Sequence, residues 1–147
     1  VIGSAAVKDG KVYFATSDSG LFYALDAQSG TQAFSWNSKK WPMFSSPAIA
    51  GNTLYVGSHE GKLFAIDLAS QKEAWSFQTD GSQQNGLTYT KPDGTPKYEA
   101  AFHDDFYEDM VIGVQKMMSV GAILSSPVVV DGVIYFGSTD GNLYAIN

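Results

Sequence analysis

One unit is written three times in this chain of 147 residues, and that repetition limits the fold more than any single residue does. Ser125 to Asn147 reads SSPVVVDGVIYFGSTDGNLYAIN, and Ser45 to Asp67 reads SSPAIAGNTLYVGSHEGKLFAID. Gly3 to Asp26, GSAAVKDGKVYFATSDSGLFYALD, is a weaker third copy. Each copy alternates short apolar runs with turn residues. Asp9-Gly10 and Asp131-Gly132 suit two-residue hairpins whose central residues need positive φ, and Gly51-Asn52 keeps the turn chemistry with other residues. Val12–Thr16, Leu21–Leu25 and Gln32–Trp36 follow as strands by period-two alternation, as do Thr53–Gly57, Lys62–Asp67 and Glu73–Gln78.

A four-stranded antiparallel unit of about forty residues exposes both faces when alone. Stacking such units side by side buries a continuous core, which is why repeats of this period build solenoids and propellers. The reading is an all-β chain: a partial β-propeller of about three four-stranded antiparallel blades, with one helix-containing insertion. The first blade repeat and its connector occupy 1–42, the second repeat 43–80, the insertion 81–122 and an incomplete third repeat 123–147. Known propellers have about 4–8 blades. A ring is therefore expected to need other blades, from a longer chain or by self-association.

The motif that carries a family resemblance is Ala65-Ile66-Asp67-Leu68-Ala69-Ser70-Gln71-Lys72-Glu73-Ala74-Trp75. It resembles the tryptophan-docking motif of pyrroloquinoline-quinone-type propellers. Ala24 to Phe34 is similar, with Phe34 in place of the Trp, and Ala145-Ile146-Asn147 opens a third copy. The resemblance covers about 105 residues. It implies that Ala24, Phe34, Ala65 and Trp75 are docking positions. Trp75 and Ala65 are then expected to glue one blade to the next, so that Trp75→Ala costs on the order of 3 kcal/mol. The family includes quinoprotein dehydrogenases and non-enzymatic relatives of the BamB type, and implies an extracytoplasmic (periplasmic or secreted) location. In its enzymes a quinone lies between a Trp and an adjacent-Cys disulfide, with Ca²⁺ alongside. This sequence has no Cys, and Trp41 lies in a connector. No cofactor is expected, then, and pyrroloquinoline quinone with Ca²⁺ enters only if the chain belongs to a quinone-dependent alcohol or sugar dehydrogenase. The favoured reading is a non-catalytic segment that serves as scaffold and protein-interaction module.

Composition excludes some partners. The net charge is -6, and all nine basic residues are Lys. Binding to phosphate backbones needs a cationic surface that releases counterions, so nucleic acid is set aside, as are anionic membrane surfaces. No apolar run approaches the ~18 residues of a membrane span.

The insertion is the part that the repeat does not explain. Gly81 to Gly94 is polar and reads as a loop, with a small hairpin around Pro92-Asp93-Gly94. An amphipathic helix is expected over about 98–118, where Phe102, Phe106, Met110, Val114 and Met117 or Met118 recur at three or four. Gly113 and the β-branched Val111 and Ile112 count against one continuous helix. Its aromatic and Met stripe (Phe102, Phe106, Met110 and Met117) packs on the propeller, meets a protein partner or forms a lid over a central-channel site. Asp104, Asp105, Glu108 and Asp109 come nearest to a donor set for a hard cation. They fit no motif spacing, a solvated acidic face is commoner, and no metal is expected. His59, in a loop, is expected on the surface.

Overall fold

The computed structural model describes residues 1–103 and 105–147. Three antiparallel sheets follow one another along the chain. The first blade is β1 (Ala6–Lys8), β2 (Lys11–Ala15), β3 (Leu21–Asp26) and β4 (Gln32–Asn37). The second is β5 (Ala48–Ala50), β6 (Thr53–Gly57), β7 (Lys62–Asp67) and β8 (Lys72–Gln78). The third has β9 (Val128–Val130), β10 (Val133–Gly137) and β11 (Leu143–Ile146). Each sheet is a meander in which every strand pairs with its sequence neighbour. The turn residues act as their chemistry requires. Asp9 and Gly10 have φ of 48° and 71°, and Asp131 and Gly132 have 50° and 81°. In the second blade the positive φ falls on Gly51, the first central position, as in a type II′ turn.

Between the first two blades lies a core of Tyr13, Phe22, Ala24 and Phe34 against Leu54, Val56, Phe64 and Ile66. Between the second and third, Leu63 packs with Ile123, Ile134 and Phe136. Three serines tie consecutive blades together: Ser4 N donates to Ser46 Oγ (2.8 Å), and Ser46 N donates to Ser126 Oγ (3.3 Å). The same residue type at the same place in each repeat thus links consecutive blades. The repeated motif Asp is also explained. Asp26 accepts from the backbone of Ser29 and Gln28, and Asp67 from the backbone of Ser70 and the amide of Asn52. Those backbone bonds hold both carboxyls below their ordinary range.

The two docking aromatics differ in their surroundings. Ala24 pairs across the sheet with Phe34, and Ala65 with Trp75, so each Ala makes room for an aromatic of its own blade. A register shift follows both alanines. Phe34 is 9% exposed and belongs to the core between blades. Trp75 is 40% exposed, and its ring lies 5.9 Å from Tyr55 of its own blade. The cost expected for Trp75 therefore belongs to Phe34.

In the insertion, the segment read as a loop contains α1 (Asp80–Tyr89). Its polar composition hides it, but Thr79 caps it by accepting from Ser82 N. The hairpin around Pro92-Asp93-Gly94 is present as a bridge between Thr90 and Pro96. The helix expected over 98–118 is broken. A single 3₁₀ turn occupies Tyr98–Ala100, then α2 (Phe106–Glu108), a π-helical stretch (Asp109–Gly113) and α3 (Val114–Met118) run on without interruption. Gly113 has a packing reason: a Cβ there would lie 2.6 Å from the Phe102 ring.

Phe34→Ala is expected to destabilise the chain by about 3 kcal/mol or more in urea unfolding, and Trp75→Ala by no more than about half of that. Equal losses would show that the outer-strand aromatics are equivalent after all.

Candidate interaction surface and the cavity beneath it

The insertion enters the repeat at one definable point. Between the first two blades, Ser38 Oγ lies within hydrogen-bond distance of the carbonyls of Gly20 (2.9 Å) and Trp41 (2.7 Å), either of which can accept its one proton, and Ser38 N donates to Gly20 O. Between the second and third, Thr79 N donates to Gly61 O, and Thr79 Oγ1 lies 3.1 Å from Gly121 O. Ser38 corresponds to Thr79 and Trp41 to Gly121. Asp80 to Val120 thus stand where only Lys39 and Lys40 stand in the earlier connector.

The two ends of the insertion are pinched tightly. Gly121 has φ +69°, and a Cβ on it would lie 2.4 Å from Thr79 Oγ1; a Cβ on Gly81 would lie 2.7 Å from Gly121 N. The third blade grips the first turn of α1. Tyr144 Oη accepts from Asp80 N (2.8 Å) and donates to Asp140 (2.7 Å), while Asp140 accepts from Gly81 N (3.2 Å). The Asp140 carboxyl is somewhat desolvated, yet these hydrogen bonds hold it below its ordinary range.

Closed in this way, the insertion covers the loop end of the first two blades. Trp41 is fully buried among Tyr89, Ala101, Met117 and Val120, and its indole N–H donates to Gly94 O at 3.0 Å. His59 is not on the surface. It is 8% exposed, with its ring beside Trp41 (6.4 Å, stacked) and Phe44 (5.8 Å, edge-on), and its Nδ1 is buried without a hydrogen-bond partner among the described residues. Burial pushes the imidazole below its ordinary value of 6.5. Next to it, Glu60 is buried against Lys62 at 2.9 Å, and burial pushes its carboxyl up. A polar cleft of about 220 Å³ opens there, between Trp36, Lys39, Glu60, Lys62 and Gly94. Neither His59 nor Glu60 was signalled by the sequence, because loop residues are ordinarily exposed. The signal available was the insertion itself.

The aromatic and Met stripe divides. Met117 is buried on Trp41, and Phe102 is partly buried there. Phe106 (71% exposed) and Met110 (61% exposed) point outward with Tyr107 and Val111. Phe102, Phe106, Met110 and Val114 line one shallow apolar trough, with Asp109 at its edge. Asp105 and Asp109 are engaged in local hydrogen bonds. Asp105 caps α2 by accepting from Tyr107 N and Glu108 N at 3.1 Å, and the Asp109 carboxylate accepts from His103 N at 2.9 Å. Glu108 is exposed, and Asp104 lies outside the described residues. Among the described residues, no group of three or more His, Asp or Glu side chains is placed to hold a metal ion. The Trp41 ring, the candidate for stacking on a quinone, is enclosed beneath the insertion.

Two buried groups, His59 and Glu60, add to the pH dependence of stability. The unfolded chain takes up a proton at His59 that the folded chain refuses. That contribution is complete above 6.5 and is lost as pH falls towards the lowered folded value. Glu60 acts in the opposite sense: its contribution is complete below 4.5 and is lost as pH rises through its raised value. His59→Phe should therefore flatten the fall in unfolding free energy between about pH 6.5 and pH 5. An unchanged slope in urea titrations across that range would mean that His59 is protonated in the folded chain.

Comparison with known proteins places this architecture. A family model described as outer membrane protein assembly factor BamB matches residues 1–95. No curated protein matches the chain. Among solved structures, BamB from Moraxella catarrhalis is similar at 18% identity and a TM-score of 0.60, over 97% of this chain and 32% of that one. A europium-containing methanol dehydrogenase is similar at 17% identity and a TM-score of 0.59, over 92% of this chain and 25% of that one. Quinohemoprotein alcohol dehydrogenase from Comamonas testosteroni gives 18% identity and a TM-score of 0.57, over 94% and 17%. The chain thus spans about a third or less of the length of these three structures, and at such identities the likeness shows the propeller fold alone. The family match, together with the three meander sheets, establishes that the chain belongs to the BamB-like family of pyrroloquinoline-quinone-type propeller repeats.

Proposed function

We propose that the chain is a non-catalytic propeller segment, a scaffold whose inserted helices bind a protein partner outside the cytoplasm. The observation that carries this reading is the state of the insertion. It is fastened to the blades at Thr79, Gly121 and Asp140, yet it turns Phe106, Tyr107, Met110 and Val111 to solvent. An apolar patch on a rigid support marks an interaction site, and Met with aromatic side chains suits helix-in-groove contacts. Asp105 and Glu108 border the patch, which suits a partner segment carrying Lys or Arg. The family description supports a role in outer-membrane protein assembly, and the same kinship supports a periplasmic location.

A second reading follows from the likeness to the methanol and alcohol dehydrogenases: the chain forms part of a quinoprotein dehydrogenase whose cofactor is held elsewhere. Titration with pyrroloquinoline quinone and Ca²⁺ separates the two, because saturable binding with dye reduction would overturn the scaffold reading.

Point substitutions test the surface better than removal of the insertion, which would also uncover Trp41. A Phe106→Ser/Met110→Ser double variant should keep the thermal midpoint within a few degrees and lose about tenfold or more in capture of an assembly partner. Equal capture by the parent chain and the variant would remove the patch from the account.

A further inference from the structure

The underside of the insertion rests on one imidazole. His59 lies in the loop between β6 and β7, and its backbone N–H donates to Pro42 O of the first connector at 2.8 Å. That bond sets the ring between two bodies. On the connector side the ring meets Trp41 and Phe44. On the insertion side it borders an apolar cavity of about 220 Å³ with Tyr98, Phe102, Val114, Met117 and Met118. His59 Nδ1 is buried and has no hydrogen-bond partner among the described residues. A neutral imidazole tolerates this by leaving Nδ1 as an unused acceptor. A protonated one carries donors on both nitrogens, so Nδ1–H becomes a buried donor of a charged ring with no acceptor, which is costly. The surroundings do not offset that cost. The connector side supplies no titratable group, and the insertion side supplies only the Tyr98 phenol, which burial keeps protonated. Lys97, Asp109 and Lys116 are the charged groups nearest in sequence to the cavity wall, and none of them belongs to it. Glu60, the next residue, pairs with Lys62 and lines the polar clefts, which His59 does not border.

The insertion is built to separate from the sheets. The core around Trp41 is distinct from the two cores between blades. Lifting the insertion breaks the Trp41 indole bond to Gly94 O and the packing over His59, and it leaves every strand pair in place. We propose that His59 is a pH-sensitive latch: the insertion lies closed over a neutral imidazole, and uptake of one proton there releases it while the blades stay folded. The sign follows from the two environments. In the closed state burial holds the imidazole below its ordinary value of 6.5. In the open state the ring is in water and returns to about 6.5. The open state therefore binds the proton more tightly. Closure has its full support above 6.5 and loses it as pH falls towards the lowered closed value. One proton changes the opening constant by at most about tenfold per pH unit. The latch works in the same way whatever the outer side of the insertion meets, so it does not depend on the reading of Phe106 and Met110 as a partner surface.

Hydrogen exchange of the full chain, followed by NMR at about pH 7.5, 6.5 and 5.5, tests the latch. The exposed Trp75 indole N–H corrects for the intrinsic pH dependence of exchange. The opening constant at the Trp41 indole should rise severalfold, up to about tenfold, between about pH 6.5 and pH 5.5, and change little above that range. At each pH Trp41 should open through a smaller free energy than the amides of β3 and β7, which are paired on both sides. In His59→Phe the opening constant should be the same at all three values. A pH-independent opening constant in the parent chain overturns the latch, and so does a rise that persists in the variant. Equal opening free energies at Trp41 and at the β3 and β7 amides would show that the insertion leaves only when the whole chain unfolds, which also overturns it. The parent imidazole gives a check that stands whether or not the variant folds. Its ring resonances should titrate below 6.5, and titration at or above that value contradicts the proposal.

Discussion

A single hydroxyl bridge governs how this chain combines a regular repeat with an irregular insertion. In the first connector Ser38 holds the carbonyl of Trp41, and in the second Thr79 lies within hydrogen-bond distance of the carbonyl of Gly121. The blades on either side see the same connector geometry whether two residues or forty-one lie beneath the bridge. The surrounding backbone bonds repeat in register. Met43 N donates to Thr16 O and Ile123 N to Ser58 O; His59 N donates to Pro42 O and Thr139 N to Ala122 O. Loop-closure entropy grows only slowly with length, so a long insertion costs little once its ends are pinned.

The pinning decides which residues the junction tolerates. Gly121 stands where Trp41 stands in the earlier connector, because no Cβ fits against Thr79 Oγ1. Gly57 is required in the same neighbourhood, since a Cβ there would lie 2.3 Å from Ile123 Cγ2. With the insertion closed down, Trp41 becomes the centre of a satellite core, and His59 is carried from a loop into an interior. The outer side of the same helices keeps Phe106 and Met110 in water. One element therefore has a buried face that fastens it and an exposed face left for a partner.

The blades were legible because their signals are local. Tight turns, alternating strands and the S-S-P openings each report on a few adjacent residues; the turns and strands occur three times and S-S-P twice. The Phe34 and Trp75 difference was not legible, because it depends on what the next blade places opposite each ring. Helix α1 was hidden by two glycines, an Asn and a run of polar residues, and only its Thr79 cap betrays it. The π-helical stretch answers a tertiary demand, the fit of Phe102 against Gly113. His59 and Glu60 were illegible for the same reason: the chain that covers them comes from residues far along in sequence.

The claim that the insertion is fastened down as part of the propeller end is tested most directly at the Trp41 indole. Its N–H donates to Gly94 O beneath the insertion, whereas Trp75 stands on an outer strand, 40% exposed. Hydrogen exchange of the indole N–H groups in the parent chain should be at least about 100-fold slower at Trp41 than at Trp75. Exchange at equal rates would show that the insertion opens freely, and that the rigid display of Phe106 and Met110 does not describe the chain in solution.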